Sequence, residues 1–119
     1  MAIAGIDIGT TGCKCSVYSR EGELLNEAYR EYPSSTTDHL LDVALVWENT
    51  KAILQEAAST TEPLEAIGVT SFGEAFVLLD ENKLPLAPSM LYTHPMGSEE
   101  CKQLVHHFGK DALARTVRD

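Results

Sequence analysis

The chain has 119 residues, which is enough for one domain of ordinary size with a single hydrophobic core. It carries 9 Lys and Arg against 18 Asp and Glu, a net charge of −9, which argues against a nucleic-acid backbone or an anionic membrane as a general partner. Hydrophobic residues make up 44% and charged residues 23%, so the composition is globular and excludes a disordered chain.

The sequence favours a cytoplasmic protein that has no membrane partner. No apolar stretch approaches the ~18 residues that span a bilayer, and the N-terminal segment reaches Asp7 without a basic leader. The three cysteines, Cys13, Cys15 and Cys101, cannot all pair, and the Cys-x-Cys spacing on a strand points the first two to one face. We interpret them as free thiols, buried or half-buried, with metal or redox chemistry as the alternative.

The first half of the chain contains three predicted strands, at residues 3–8, 13–18 and 24–32. The Arg-Glu-Gly turn after Ser19 favours an antiparallel hairpin between the second and third strands. After a polar link at residues 33–37, Asp42 is a candidate helix N-cap. The apolar residues that follow at helical spacing predict an amphipathic helix with one stripe: Val43, Val46, Trp47, Thr50, Ile53, Leu54 and Ala57.

The second half predicts a strand, a hairpin and further helices. Residues 66–70 are typical of a short, buried parallel strand, and residues 75–79 and 89–92 predict a side hairpin on the main sheet. A second helix starts near Gly97, ends at Gly109 and carries the stripe Cys101, Leu104, Val105 and Phe108. Residues 110–119 begin another helical segment. This order predicts an α/β fold with a mixed sheet, the first three strands antiparallel and the fourth parallel to the first, as in a ribonuclease-H-like layer.

The most informative segment is the turn that follows the first strand. It contains, in order, Asp7, Gly9, Thr10, Thr11, Gly12 and Lys14. A carboxylate at the end of an apolar strand, followed by a tight turn of small residues, presents backbone amides and hydroxyls that suit a phosphate. Lys14 adds a cation, and Asp7 could hold Mg²⁺ directly or through water. The alternative is an ordinary hairpin turn in which Gly9 and Gly12 supply positive φ.

Two better known phosphate motifs do not fit this turn. The Walker motif needs Gly-Lys-Ser/Thr at the start of a helix, and the dinucleotide fingerprint needs a glycine where Asp7 stands. The segment instead resembles the first phosphate motif of the actin, hexokinase and heat-shock-chaperone ATPase superfamily, and in particular the opening of the FGGY carbohydrate kinases. The resemblance extends from residue 2 to about Phe108. Residues 42–47 are similar to the family's Asp-Pro-x-x-x-Trp helix start, with Val43 in place of the proline.

The resemblance implies an actin-like ATPase fold and an ATP-dependent sugar kinase, of which residues 1–119 are the N-terminal part of the first lobe. It implies ATP and Mg as cofactors, with Asp7 holding the Mg directly or through a water. The implied phosphate contacts are Asp7, Gly9, Thr10, Thr11 and Lys14. The implied contacts to a small-molecule sugar are Phe72, Gly73, Glu74 and His94. No catalytic residue is expected in this stretch, since the family's general base would lie beyond Asp119.

The sugar-side residues depart from the family pattern. Many members carry Gln-Met-His-Gly or Gln-Arg-Glu where this chain has Phe72-Gly73-Glu74, so the sugar contact here would be a carboxylate. His94 stands where an aspartate usually binds sugar hydroxyls. The first choice of substrate is a ketopentose such as xylulose, as in a xylulose kinase, with gluconate and glycerol as alternatives. A sugar or nucleotide sensor without phosphate transfer is the non-enzyme alternative.

Other residues have plainer interpretations. A ribonuclease-H-like nuclease would use Asp7 and Glu48, but the end of the fourth strand offers Thr70 and Ser71 where a third carboxylate is needed. Trp47 is expected in the core, with a wall of the sugar pocket as the alternative. The adjacent His106 and His107 cannot both face one metal and are interpreted as surface or packing residues.

Apolar surface left uncovered in so short a stretch would allow a homodimer.

Overall fold

The computed structural model describes residues 1–33, 38–59, 62–73 and 75–116. The structure contains the predicted strands and helices except a strand at residues 75–79, and it adds a short strand at residues 40–41. The elements are β1 (Ala2–Ile8), β2 (Gly12–Ser19), β3 (Leu24–Glu31), β4 (Leu40–Leu41), α1 (Val43–Ala57), β5 (Leu64–Ser71), β6 (Ser89–Met90), α2 (Ser98–Phe108) and α3 (Lys110–Thr116). Among the described helices, none combines the length and hydropathy that a membrane span requires.

Four of the strands form one mixed sheet in the order β3-β2-β1-β5. β1 pairs antiparallel with β2, and β2 pairs antiparallel with β3. β5 runs parallel to β1 and lies at the edge of the sheet. The α/β class, the mixed sheet and the direction of all four strands are therefore confirmed.

The core lies between one face of this sheet and helix α1. Side chains of β1 and β2 alternate between the two faces, as a strand period of two requires. The buried face carries small and apolar residues: Ala2, Ala4, Ile6, Cys13, Cys15 and Val17. Helix α1 contributes Thr50, Ile53 and Ala57 to the same core. Cys13 and Cys15 are free, buried thiols on one face, as predicted.

Helix α1 is held at both ends. Asp42 has an extended backbone, and its Oδ1 accepts a hydrogen bond from the amide of Leu45 at 3.0 Å, so the predicted N-cap is confirmed. At the other end, the side-chain amide of Asn26 on β3 donates to the carbonyl oxygens of Glu56 and Ala57, each at 3.2 Å. These bonds satisfy carbonyl groups that the helix leaves without an internal partner, and they fix the helix over the sheet.

Three expectations of burial are wrong. Trp47 is 59% exposed at the edge of the helical stripe, where the Nζ of Lys51 lies 5.6 Å from the centre of its ring. Ile67 and Val69 on β5 are 48% and 67% exposed. They are register partners of Ala4 and Ile6 on the face that α1 covers, but α1 packs mainly over β2 and β3, away from the edge strand β5. Cys101 is exposed on α2, a helix that buries none of its residues.

The predicted side hairpin is also formed differently. Residues 75–79, all described, make no strand, and the pairing reduces to one isolated bridge between Leu79 and Pro85. Asp80 closes the turn between them by accepting two amide hydrogen bonds at 2.8 Å. β6 pairs with β4 in a separate two-stranded sheet instead of joining the main sheet. Pro85 and Pro88 lack the amide donors that a longer ladder would need.

The start of β2 is pressed against the end of β3. A Cβ at Gly12 would lie 2.7 Å from the carbonyl oxygen of Arg30 and 2.8 Å from the hydroxyl of Tyr29. Gly12 and Gly9 do not have positive φ, so the interpretation that they supply this conformation is wrong. Gly12 is required by the space that β3 leaves, since a backbone oxygen cannot move away as a flexible side chain can.

We expect Gly12→Ala to lower the free energy of unfolding by about 2 kcal/mol, because the new Cβ displaces the backbone of β3. Gly5→Ala is the matched control, since a Cβ at Gly5 in neighbouring β1 meets no atom within 4 Å. Its effect should lie within about 1 kcal/mol of zero. Urea unfolding of the two variants checks this, and equal losses of stability in both would contradict the close approach at Gly12.

Candidate functional site

The candidate site is built on the turn between β1 and β2. The amide of Gly9 donates to the carbonyl oxygen of Gly12 at 2.8 Å, which closes the turn over Thr10 and Thr11. Neither threonine has a positive φ. Within the described part of the chain, the backbone amides of both threonines donate to no protein acceptor. The turn therefore offers two backbone donors to a ligand.

Tyr32, which directly follows β3, holds this turn from the side of the core. Its side chain is 4% exposed, and its hydroxyl donates to the carbonyl oxygens of Gly9 and Gly12, the latter at 3.2 Å. Its backbone amide donates to the carbonyl oxygen of Thr11 at 3.1 Å. Burial raises the pKa of Tyr32 to about 12, so the hydroxyl keeps its proton and remains a donor at neutral pH.

Asp7 and Lys14 face each other across β1 and β2 on the exposed side of the sheet, and Asp7 is also the register partner of Thr70 on β5. The Nζ of Lys14 lies 2.9 Å from Oε2 of Glu27, which also accepts a hydrogen bond from the Ser16 hydroxyl at 2.9 Å. The hydrogen bond to Glu27 raises the pKa of Lys14, and the same bond lowers the pKa of Glu27. Lys14 is thus bound to β3 in this structure.

The loop that follows β5 begins beside the turn. The amide of Phe72 donates to the carbonyl oxygen of Ile8 at 3.2 Å, and the Phe72 ring packs half-buried against the core. Gly73 is exposed, and Glu74 lies outside the described residues. The carboxyl ends of the parallel strands β1 and β5 therefore bring Phe72 and Gly73 to the edge of the sheet that carries the turn, the usual ligand edge of an α/β sheet.

His94 lies on a different segment. It is half-buried, and its Nδ1 accepts a hydrogen bond from the amide of Met96 at 3.1 Å. The preceding Thr93 is tied to His39, whose Nδ1 lies 2.8 Å from the Thr93 hydroxyl oxygen. No described hydrogen bond links His94 to the loop after β5. The structure thus joins Phe72 and Gly73 to the turn and leaves His94 apart from them.

The carboxylates of a nuclease site are not brought together. Helix α1, which carries Glu48, packs on the buried face of the sheet, whereas Asp7 is on the exposed face. Glu48 instead lies 2.7 Å from the Nζ of Lys51, one turn along the helix. Among the residues that the structure describes, no group of three or more His, Cys, Asp or Glu could hold a metal ion. These positions do not support a two-metal nuclease.

Sequence reasoning missed Tyr32 and Glu27, which shape the site, and His39, which ties down the segment that carries His94. Each acts on a partner far away in the sequence, so no local motif reveals it. The one available signal for Tyr32 was its place, an aromatic residue at the end of a mostly polar strand. His39 has a φ of 54°, a left-handed backbone conformation that no sequence pattern predicts at this position.

Comparison with known proteins gives a consistent result. The model of the FGGY family of carbohydrate kinases, N-terminal domain, matches residues 2–118. Glycerol kinase 1 of Streptomyces avermitilis is 27% identical over 123 residues, covering 95% of this chain and 24% of that protein. The glycerol kinase of Haloquadratum walsbyi is 36% identical over 88 residues, covering 66% of this chain and 17% of that protein. The chain spans a quarter or less of the length of these relatives.

Solved structures show the same similarity. The xylulose kinase from Rhodospirillum rubrum matches with a TM-score of 0.77 and 27% identity, over 94% of this chain and 24% of that one. The gluconate kinase from Lactobacillus acidophilus matches with a TM-score of 0.82 over 96% of this chain and 24% of that one, and at 18% identity it supports the fold alone. The actin-like ATPase fold is therefore confirmed, and the chain belongs to the FGGY family of carbohydrate kinases.

Proposed function

We propose that residues 1–119 are the N-terminal part of the first lobe of an ATP-dependent kinase. The whole protein would transfer the γ-phosphate of Mg-ATP to a hydroxyl of a small sugar or polyol, in the cytoplasm. The observation that carries this proposal is the turn at Gly9, in a chain of the FGGY family. Two backbone amides of this turn have no acceptor among the described residues, and they stand beside the end of the strand that carries Asp7. Such a reaction depends on positioning and on neutralising charge, which a turn of this kind can supply.

The residues of the turn have distinct proposed roles. Gly9, Thr10 and Thr11 would cradle the transferring phosphate through backbone amides and hydroxyls. Asp7 fits Mg²⁺, because its exposed carboxylate offers oxygen ligands and this ion is usually held by one or two carboxylates, phosphates and water. The ion would neutralise phosphate charge. Lys14 would leave Glu27 to contribute a positive charge, and the general base would lie beyond Asp119.

The sugar side would be lined by two segments. Phe72 and Gly73 begin the loop that is hydrogen-bonded to the end of β1, so a sugar bound there would lie next to the phosphate turn. The proposed role of Glu74, accepting hydrogen bonds from sugar hydroxyls, rests on its position in the sequence. His94 lies on a separate segment, so it would reach the same sugar only from there. Closure of the cleft between the two lobes of the whole protein would be compatible with such a contact.

The proposed substrate is a ketopentose such as xylulose. The similarity to the xylulose kinase of Rhodospirillum rubrum, at 27% identity, supports this choice. Glycerol is the second candidate, supported by the similarity to the glycerol kinases of Streptomyces avermitilis and Haloquadratum walsbyi. Gluconate has the support of a likeness in fold.

The first test is ADP release by the whole protein with Mg-ATP across a panel of ketoses, aldoses, polyols and sugar acids. We expect one acceptor, xylulose first and glycerol second, to raise the rate at least ~100-fold above the rate with ATP alone, because a kinase discriminates by positioning its acceptor hydroxyl. A flat panel from a protein that still binds nucleotide would contradict phosphate transfer and favour a sensor.

In the whole protein we expect Asp7→Asn to lower kcat at least ~100-fold, because the carboxylate that holds the metal is lost. The midpoint of thermal unfolding should stay unchanged, since Asp7 is exposed. Glu21→Gln is the matched control, because it also converts an exposed carboxylate to an amide but lies in the turn between β2 and β3, at the other end of the sheet. Unchanged turnover in Asp7→Asn would remove Asp7 from the site.

A further inference from the structure

The turn between β1 and β2 is held by a residue to which the proposed function gives no role. Tyr32 is buried, and its hydroxyl and amide together engage the carbonyl oxygens of Gly9, Thr11 and Gly12. We propose that Tyr32 is a positioning residue for phosphate binding, whose hydroxyl holds the Gly9–Thr10 peptide so that the Thr10 amide stays available to the phosphate. This inference rests on the proposed function of the turn.

Peptide geometry links the hydroxyl to the donor. A trans peptide is planar, so its C=O and N–H groups point in opposite directions, and the described chain contains no cis peptide bond. The carbonyl of Gly9 is directed to the buried Tyr32 hydroxyl, and the amide of Thr10 belongs to the same peptide. The Thr10 N–H must therefore point away from Tyr32. It donates to no described protein group.

Loss of the hydroxyl would release this peptide. Gly9 has no Cβ to hinder rotation of its backbone, and the Gly9 carbonyl would lose its buried donor. A full reversal of the Gly9–Thr10 peptide would force a positive φ on the β-branched Thr10, so the peptide would instead tilt and turn the Thr10 N–H out of line with the phosphate. The phosphate would then meet a poorly directed donor. The effect would fall on the affinity for that phosphate, in addition to any effect on stability.

The hydroxyl can be removed without changing the rest of the contact. Phenylalanine at position 32 would fill the same buried volume, and its backbone amide would still donate to Thr11 as the β2–β3 pairing continues. A buried hydroxyl costs free energy unless it is hydrogen-bonded, and here both of its acceptors are carbonyls of the turn. Tyr32→Phe therefore isolates the link between the hydroxyl and the turn.

The test is nucleotide binding by the whole protein, measured by calorimetry with Mg-ADP and with a non-hydrolysable analogue of Mg-ATP. In Tyr32→Phe we expect the Kd of the triphosphate analogue to rise about tenfold, the loss that one positioned hydrogen bond produces, and the Kd of Mg-ADP to change less than about twofold. Tyr18→Phe is the control, because Tyr18 is 41% exposed at the opposite end of β2 from the turn. It should leave both affinities unchanged.

The binding stoichiometry of Mg-ADP reports the folded fraction of each variant, so a loss of folding is separated from a loss of phosphate affinity. Equal weakening of both nucleotides, or no weakening of either, would overturn the positioning role of Tyr32 while the wild-type protein still binds and turns over ATP. A wild-type protein that binds neither nucleotide would overturn the proposed function itself, and the role of Tyr32 with it. Selective loss of the triphosphate analogue would support the proposal.

Discussion

The structure depends on one constraint, the covering of a single face of the sheet by helix α1. Ala2, Ala4 and Ile6 of β1 lie under the helix, and the alternation of the strand then forces Gly5 and Asp7 to the other face. A shift of one residue in the pairing would bury Asp7 and expose Ile6, at the cost of desolvating a carboxylate. The hydrophobic pattern of β1 thus determines on which face of the sheet the Asp7 carboxylate lies.

The sequence was sufficient for the parts of the fold that local patterns control. The four strands, their directions, the start of α1 at Asp42 and the end of α2 at Gly109 follow from period, capping and turn residues. Burial of Trp47 and Val69 was predicted wrongly from the same patterns. An apolar side chain prefers to be covered, but the tertiary structure decides what covers it. Val69 lies on the face of the sheet that α1 occupies, but α1 packs mainly over β2 and β3, away from the edge strand β5.

Only the residues of the candidate site that would face a ligand were predictable. The carboxylate and the small residues of the turn stand together in the sequence, so Asp7, Gly9, Thr10 and Thr11 could be identified from spacing and resemblance. The contacts that fix them come from β3, where Glu27 binds Lys14 and Tyr32 binds the turn. Sheet register brings these residues within reach of the turn, and register depends on the length of the second turn and on an irregularity between Val17 and Tyr18.

The net charge of −9 on residues 1–119 bears on the proposed nucleotide binding, because short-range contacts would have to offset it. An acidic segment repels an anion such as the proposed nucleotide at a distance, and salt screens charge interactions beyond ~8 Å, so attraction would have to come from donors within hydrogen-bonding distance. Lys14 forms an ion pair with Glu27 in this structure. The backbone amides of the turn therefore remain as donors that need no counterion. Because a backbone amide attracts an anion only while it points at it, its direction must be fixed from the protein side. A buried hydroxyl with a pKa of about 12 suits that task, since it keeps its proton and remains a donor at neutral pH.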